Sequence, residues 1–189
     1  MRAGRDDEAG MQADARAQAQ DDAPAGKRWY FEDFYAGQEI DLGERTVTEA
    51  EILDFARAFD PQSFHVDAGA AQASPYGGLI ASGWHTCSMM MRMVVDGLLS
   101  AADGMGSPGL DSVRWLQPVR AGDTLRVRYL TRQVKASNST PDRGVVWSTW
   151  TATNQHGDQV CTVDGIGLYG RRPTRENQGR TNGHHDRTR

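Results

Sequence analysis

Two side chains in the segment FDPQSFHVD, Asp60 and His65, stand five residues apart. A carboxylate and an imidazole on one irregular loop can share a water, one taking its proton while the other gives a proton to the reacting group. Histidine suits this work because its reference pKa of about 6.5 lies near working pH. The pair also has a purely structural reading, with Asp60 capping the following turn and His65 a satisfied surface residue. Farther on, SPYGGLIASGWHT leads glycines and small residues into the most apolar stretch of the chain. The first N–H groups of a helix lack intrahelical partners. A helix starting here can therefore aim the Gly83 N–H at a substrate carbonyl and stabilise a developing enolate oxygen, with Ser82 as N-cap or auxiliary donor. A tight loop with an ordinary cap accounts for the same residues. His85, one turn into that helix, reads as a packed and satisfied side chain. No P-loop, no GxGxxG after a strand and no HExxH occurs, so phosphate cradling and zinc hydrolysis have no local support.

The elements that must position these groups follow from capping and periodicity. GERTVT alternates like a short strand, and Thr48 with Glu51 has capping-box spacing for the helix EAEILDFARAF. Ile52, Phe55, Ala56 and Phe59 share one face of that helix, and Asp60-Pro61 ends it. HVDAGAAQAS reads as a second short helix, broken at Pro75-Tyr76-Gly77-Gly78. The segment LIASGWHTCSMMMRMVVDGLLSAA approaches membrane-spanning length, but it contains His85, Arg92 and Asp96. Each charge would cost about 2.5 kcal/mol or more at a bilayer centre, so a helix buried in a soluble core is expected, its Met89–Met91 and Met93 packing softly. After Gly104 come four strand-like runs, GLDSVRWLQPV, DTLRVRYLTRQV, GVVWSTWTATN and QVCTVDGIGLYG. In the second, Leu125, Val127 and Tyr129 alternate with Arg126 and Arg128, as in a sheet with one buried and one wet face. Early helices, one long buried helix and consecutive antiparallel strands predict an α+β domain whose curved sheet wraps a central helix.

Composition sets the limits of that domain. The chain has 189 residues and a net charge of −4. Residues 1–26 carry no aromatic residue and no Val, Ile or Leu, and residues 171–189 no large apolar residue. Both are expected to be disordered tails around one domain at 27–170. The mildly acidic domain argues against nucleic acid as a partner. No apolar run follows the first charged residues, so a secretory signal is not expected. Cys87 and Cys161 lack CxxC spacing, so neither a disulfide framework nor a metal site is expected. A cytoplasmic enzyme or binding protein fits.

Taken together, FARAFDPQSFHVD (55–67), GGLIASGWHT and SVRWLQPVRAGDTL (112–125) resemble the MaoC-like dehydratases, related to the (R)-specific enoyl-CoA hydratases of the hotdog fold. The resemblance covers approximately residues 29–171. It implies a single hotdog domain that hydrates an enoyl thioester to a (3R)-hydroxyacyl thioester, with Asp60 and His65 activating water and the Gly83 N–H holding the thioester oxygen. The family's Asp-x-Asn-Pro-x-His reads Asp60-Pro61-Gln62-Ser63-Phe64-His65 here, with Gln62 at the Asn position. Its frequent His-Gly is Ser82-Gly83. Gln62, Phe64 and Trp84 are expected in the substrate pocket, and Met89, Met90 and Trp115 as further candidates to narrow an acyl tunnel. The implied partners are acyl-CoA or an acyl-carrier protein and a second copy in a homodimer, with no metal or redox cofactor. Arg114, Arg120, Arg126 and Arg128 read as a solvated face, with contact to CoA phosphates as the alternative. Two rival functions share the architecture: a hotdog thioesterase and a non-catalytic acyl-thioester-binding subunit.

Overall fold

The computed structural model describes residues 29–173, so the tails expected at 1–26 and 171–189 fall outside them except for residues 171–173, of which Arg171 and Arg172 are tied to Glu32 and Asp33. Strand β1 (Glu39–Thr46) precedes three helices, α1 (Glu49–Phe59), α2 (Ser63–Val66) and α3 (Ala68–Gln72). The long α4 (Gly83–Gly97) follows, and then β2 (Gly109–Trp115), β3 (Thr124–Ala136), β4 (Arg143–Thr153) and β5 (Gln159–Gly170). All pairings are antiparallel in one sheet of order β1-β3-β4-β5-β2. This is the α+β arrangement expected, the hotdog fold, with α4 as its central helix.

Local chemistry explains the helices. Thr48 and Glu51 form the anticipated capping box on α1. The N–H and hydroxyl of Thr48, with Arg45 beyond them, pull the Glu51 carboxyl down to about 2. The expected single helix over HVDAGAAQAS is two. The first begins upstream at Ser63, and the chain restarts at Asp67, whose carboxylate accepts the Ala70 N–H at 2.8 Å and caps α3. His65 therefore rides on a one-turn helix rather than an irregular loop.

Alternation along β3 buries Leu125, Val127 and Tyr129 and leaves Arg126 and Arg128 outside. Leu125, Val127, Val160 and Val163 of the sheet region pack with Met89, Met90 and Met93 of α4 and with Ile52 of α1 in one core cluster. A second cluster joins Phe34, Leu98, Tyr129, Val146 and Tyr169. Met89 and Met90 are thus core residues, 4% and 0% exposed, and not walls of a tunnel. At the far end of β5, Arg171 and Arg172 lie against the first described residues. Arg171 donates to Glu32 at 2.9 Å, and Arg172 donates to both oxygens of Asp33 at 2.9 and 2.8 Å. No helix among the described residues is long and apolar enough to cross a membrane.

Candidate active site

Asp60 caps the C-terminus of α1, where Pro61 stops the helix and leaves the carboxylate projecting from its end. Both oxygens are engaged. Oδ2 accepts from the Ser82 hydroxyl at 2.7 Å and Oδ1 from the Gln62 amide at 2.8 Å. The Ser82 hydroxyl bond is the main reason the carboxyl sits below its usual range, with the Gln62 bond and the nearby His65 adding to it. Gln62, at the family's Asn position, therefore keeps the loop closed through an amide.

His65 is 4% exposed, which removes the surface reading. Its Nδ1 lies 2.8 Å from the Ile80 carbonyl. A carbonyl can only accept, so Nδ1 carries the proton, and in the neutral ring Nε2 is left as the lone-pair nitrogen. That nitrogen lies 3.5 Å from Asp60 Oδ2. Two acceptors face each other there, an arrangement completed by a donor that bonds both, such as a water, or by a proton on the imidazole.

Ser82 joins this pair to α4. Its hydroxyl donates to Asp60 and accepts the Trp84 N–H at 3.2 Å, while its carbonyl accepts the Thr86 N–H at 3.1 Å. One hydroxyl thus caps the central helix and fixes the carboxylate, both roles in a single atom. The Gly83 N–H has no hydrogen-bond partner among the described residues and stands at the positive end of a 15-residue helix. The glycine has a reason the sequence did not disclose. A Cβ there would lie 2.5 Å from Cε2 of Trp115, whose indole N–H donates to the Gly83 carbonyl at 2.8 Å.

Asp60, Gln62, Phe64, His65, Gly83 and Trp84 share a cleft of about 520 Å³, closed on its far side by Trp115 and the 116–119 turn. All the expected site residues are therefore brought together except Ser82, which lies buried just behind Asp60. Phe64 packs edge-on against His65 with centroids 4.5 Å apart. A second cavity, also about 520 Å³ and lined mostly by apolar groups, opens between α4 and β5 and shares Trp84 with the cleft. The Ile80 carbonyl has no signal in the sequence, and Trp115, a tunnel candidate there, instead covers Gly83 as a lid. Backbone acceptors carry no residue-type signal, and the lid depends on β2 folding back over α4. Of the arginines considered for phosphate contact, Arg126 is paired with Asp41 and Glu44, and Arg120 donates to backbone carbonyls.

Two expectations follow from this geometry. Ser82→Ala removes the strongest hydrogen bond to the charged carboxylate, so the Asp60 midpoint moves upward while Ser82→Thr leaves it near the native value. A carbon-detected NMR titration of the Asp60 carboxyl reads this directly. Loss of the cap also costs about 1 kcal/mol of stability. His85, by contrast, does not join the cleft. It stacks on Phe55 at 4.9 Å, is 6% exposed, and makes no side-chain hydrogen bond among the described residues, its Nδ1 being buried, so the histidine expected there to be satisfied is packed but not satisfied. Burial lowers its pKa from the usual 6.5. Below pH 6.5 the unfolded chain takes up this proton before the folded one does. Stability is therefore complete above that value and falls as pH drops through the folded pKa, by at most ~1.4 kcal/mol per pH unit. His85→Leu lacks this titration, so its melting temperature should gain on that of wild type as pH falls below 6.5, while above that value the difference between the two should not change with pH on this account.

No group of three or more His, Cys, Asp or Glu side chains suited to a metal ion occurs among the described residues. The sequence profile of the family described as "MaoC like domain" matches residues 33–149. A crystal structure of the MaoC-like dehydratase from Rhodospirillum rubrum aligns with a TM-score of 0.73 and 38% identity, over 77% of this chain and 99% of that one. Protein MaoC of Klebsiella aerogenes is 29% identical over 134 residues, 69% of this chain. The chain spans only 39% of that relative's length. The unliganded R-hydratase PhaJ1 from Pseudomonas aeruginosa aligns over 77% of this chain and 88% of that one with a TM-score of 0.64. At 20% identity it speaks for the fold alone.

Proposed function

The chain belongs to the MaoC-like domain family, and on that premise we propose that it is an enzyme adding water reversibly across the 2,3 double bond of an enoyl thioester, most simply an enoyl-CoA, to give a (3R)-hydroxyacyl thioester. The observation that carries this reading is the 3.5 Å gap between His65 Nε2 and Asp60 Oδ2, two acceptors facing one cleft that also holds the unpartnered Gly83 N–H.

A water whose two O–H bonds point at Asp60 and His65 keeps an oxygen lone pair directed outward, toward the β-carbon. Its oxygen forms the new C–O bond as the 2,3 π electrons shift onto the thioester. The Gly83 N–H and the α4 dipole stabilise the enolate-like charge on the carbonyl oxygen. The proton given up by the water to the Asp60/His65 pair is returned to the α-carbon on the same face, and both residues end as they began. The reverse path expels water from the (3R)-hydroxyacyl thioester. The addition is redox-neutral, so this reading calls for no redox cofactor; the Gly83 N–H takes the role at the carbonyl oxygen that a metal could otherwise fill, and CoA or a carrier protein enters only as part of the substrate.

The apolar cavity beside Trp84 is the natural place for the acyl chain. Leu110, Trp115 and Leu116, at and just beyond the sheet's outer strand β2, are about half exposed, as are Trp84 and Met91. An open strand edge lined with apolar side chains supports pairing with a second copy of the chain.

The deciding experiment follows crotonyl-CoA in the ultraviolet with free thiol measured in parallel. Loss of enoyl absorbance without thiol supports hydration. Release of thiol would replace this reading with a thioesterase, and bound but unreacted acyl-CoA would replace it with a binding subunit.

A further inference from the structure

We infer that Arg120 is a positioning residue for His65, acting through the loop that supplies the acceptor for the imidazole N–H. The inference rests on the proposed function only for its effect on rate.

The guanidinium of Arg120 donates to the Tyr76 carbonyl with one terminal nitrogen and to the Leu79 carbonyl, at 3.4 Å, with the other. These two carbonyls bracket the turn Gly77-Gly78. Gly78 has φ +153°, and a Cβ there would lie 3.2 Å from the guanidinium. The glycine is favoured by its backbone conformation, and a side chain there would push the guanidinium by a few tenths of an ångström. The fork geometry of arginine suits this task, since it spans two acceptors at fixed separation where a lysine offers a single point.

The residue immediately after the clamped segment is Ile80. Its carbonyl takes the His65 Nδ1 proton at 2.8 Å, and its N–H donates to Phe64 at 3.3 Å. Ala81 N–H then donates to the Val119 carbonyl at 2.8 Å. Residues 79–81 are thus strapped to α2 on one side and to the 119–120 turn on the other, with Arg120 holding both ends of the loop leading in. The backbone N–H of Arg120 in turn donates to the Asp123 carboxylate at 2.7 Å, which fixes the root of the clamp. Releasing the guanidinium frees the loop before Ile80, and with it the acceptor that decides which imidazole nitrogen carries the proton. Nε2 would then cease to be the uniform lone-pair nitrogen facing Asp60.

The test uses the full chain with ¹⁵N-labelled histidine, the His65 resonances being assigned by their loss in a His65 variant. In wild type at a pH where the ring is neutral, the two ring nitrogens report the Nδ1–H form. In Arg120→Ala they are expected to move toward a mixture of tautomers. Turnover of crotonyl-CoA should fall about 10–100-fold in kcat with KM little changed. Added guanidinium ion should recover part of both, and Arg120→Lys should lie between. An unchanged ¹⁵N signature in Arg120→Ala, checked to be folded by its melting curve, overturns the inference. So does a loss confined to KM, which would make Arg120 a contact for substrate phosphates. If Arg120→Ala does not fold, Arg120→Lys is judged by the same ¹⁵N criterion. The tautomer readout needs no turnover, so failure of the hydratase reading and failure of this clamp give different results.

Discussion

Asp60→Asn and His65→Asn are each expected to lower kcat for enoyl-thioester hydration by ~10²–10⁴-fold, the range in which positioned acid–base groups act. Both replacements remove basicity while keeping part of the local hydrogen bonding. An Asn at 60 still accepts from the Ser82 hydroxyl, whose bond to the native carboxylate is 2.7 Å, and an Asn at 65 can offer its amide to the Ile80 carbonyl. Melting temperatures should therefore move little while turnover collapses. The double variant should lose scarcely more than either single one, because the two groups hold one water and act as a unit. Wild-type rates in both single variants would remove Asp60 and His65 from the chemistry and return the pair to a structural role.

The second large effect is at the helix entrance. Gly83→Ala places a Cβ 2.5 Å from the Trp115 ring, a separation that real contacts do not tolerate, so the indole must leave. Two losses follow: the indole hydrogen bond to the Gly83 carbonyl, and the edge-on stacking of Trp115 against Trp84 at 5.3 Å. Overpacking of this kind costs about 1–3 kcal/mol. Activity should fall as well, by up to the ~10²-fold that a misplacement of about 1 Å in the site can cause. Trp115→Ala alone is expected to be milder, and combined with Gly83→Ala it should restore part of the stability lost by the glycine variant. Strict additivity in that double-mutant cycle would show that the two residues do not clash.

Much of this was legible in the sequence because it depends on short-range rules. The Thr48/Glu51 box, the Asp60-Pro61 stop, the alternation on β3 and the Ser82 cap are each decided within four or five residues. The meeting of Asp60, His65 and Gly83 in one cleft follows from two short motifs once the fold is in place. What escaped was long-range or carried by the backbone. The Ile80 carbonyl orients His65 across 15 positions. Trp115 covers Gly83 from 32 positions away. The split of the helix at Asp67 has no signal in the sequence because the run of Ala and Gly after it is not periodic, and the cap is visible only if Asp67 is read as a start rather than an interior residue. Met89 and Met90 carry two readings in the sequence, soft core packing and tunnel narrowing, and the first holds: flexible apolar side chains on a helix do not announce which neighbour they fill.

The strand order has a kinetic meaning. β3, β4 and β5 are successive hairpins, whereas β1 must bypass four helices to reach β3, and β2 must pass outside two strands to reach β5. Local pairings close at smaller entropic cost than distant ones, so the three central strands are the natural nucleus and the two flanking strands arrive afterward. Trp115 ends β2, and the cleft is walled by that strand's continuation. The reactive end of the molecule therefore matures last. Changes that loosen the flank should chiefly hasten its opening, leaving the speed of collapse set by the hairpins. Competence and persistence are thereby governed by different parts of one small sheet.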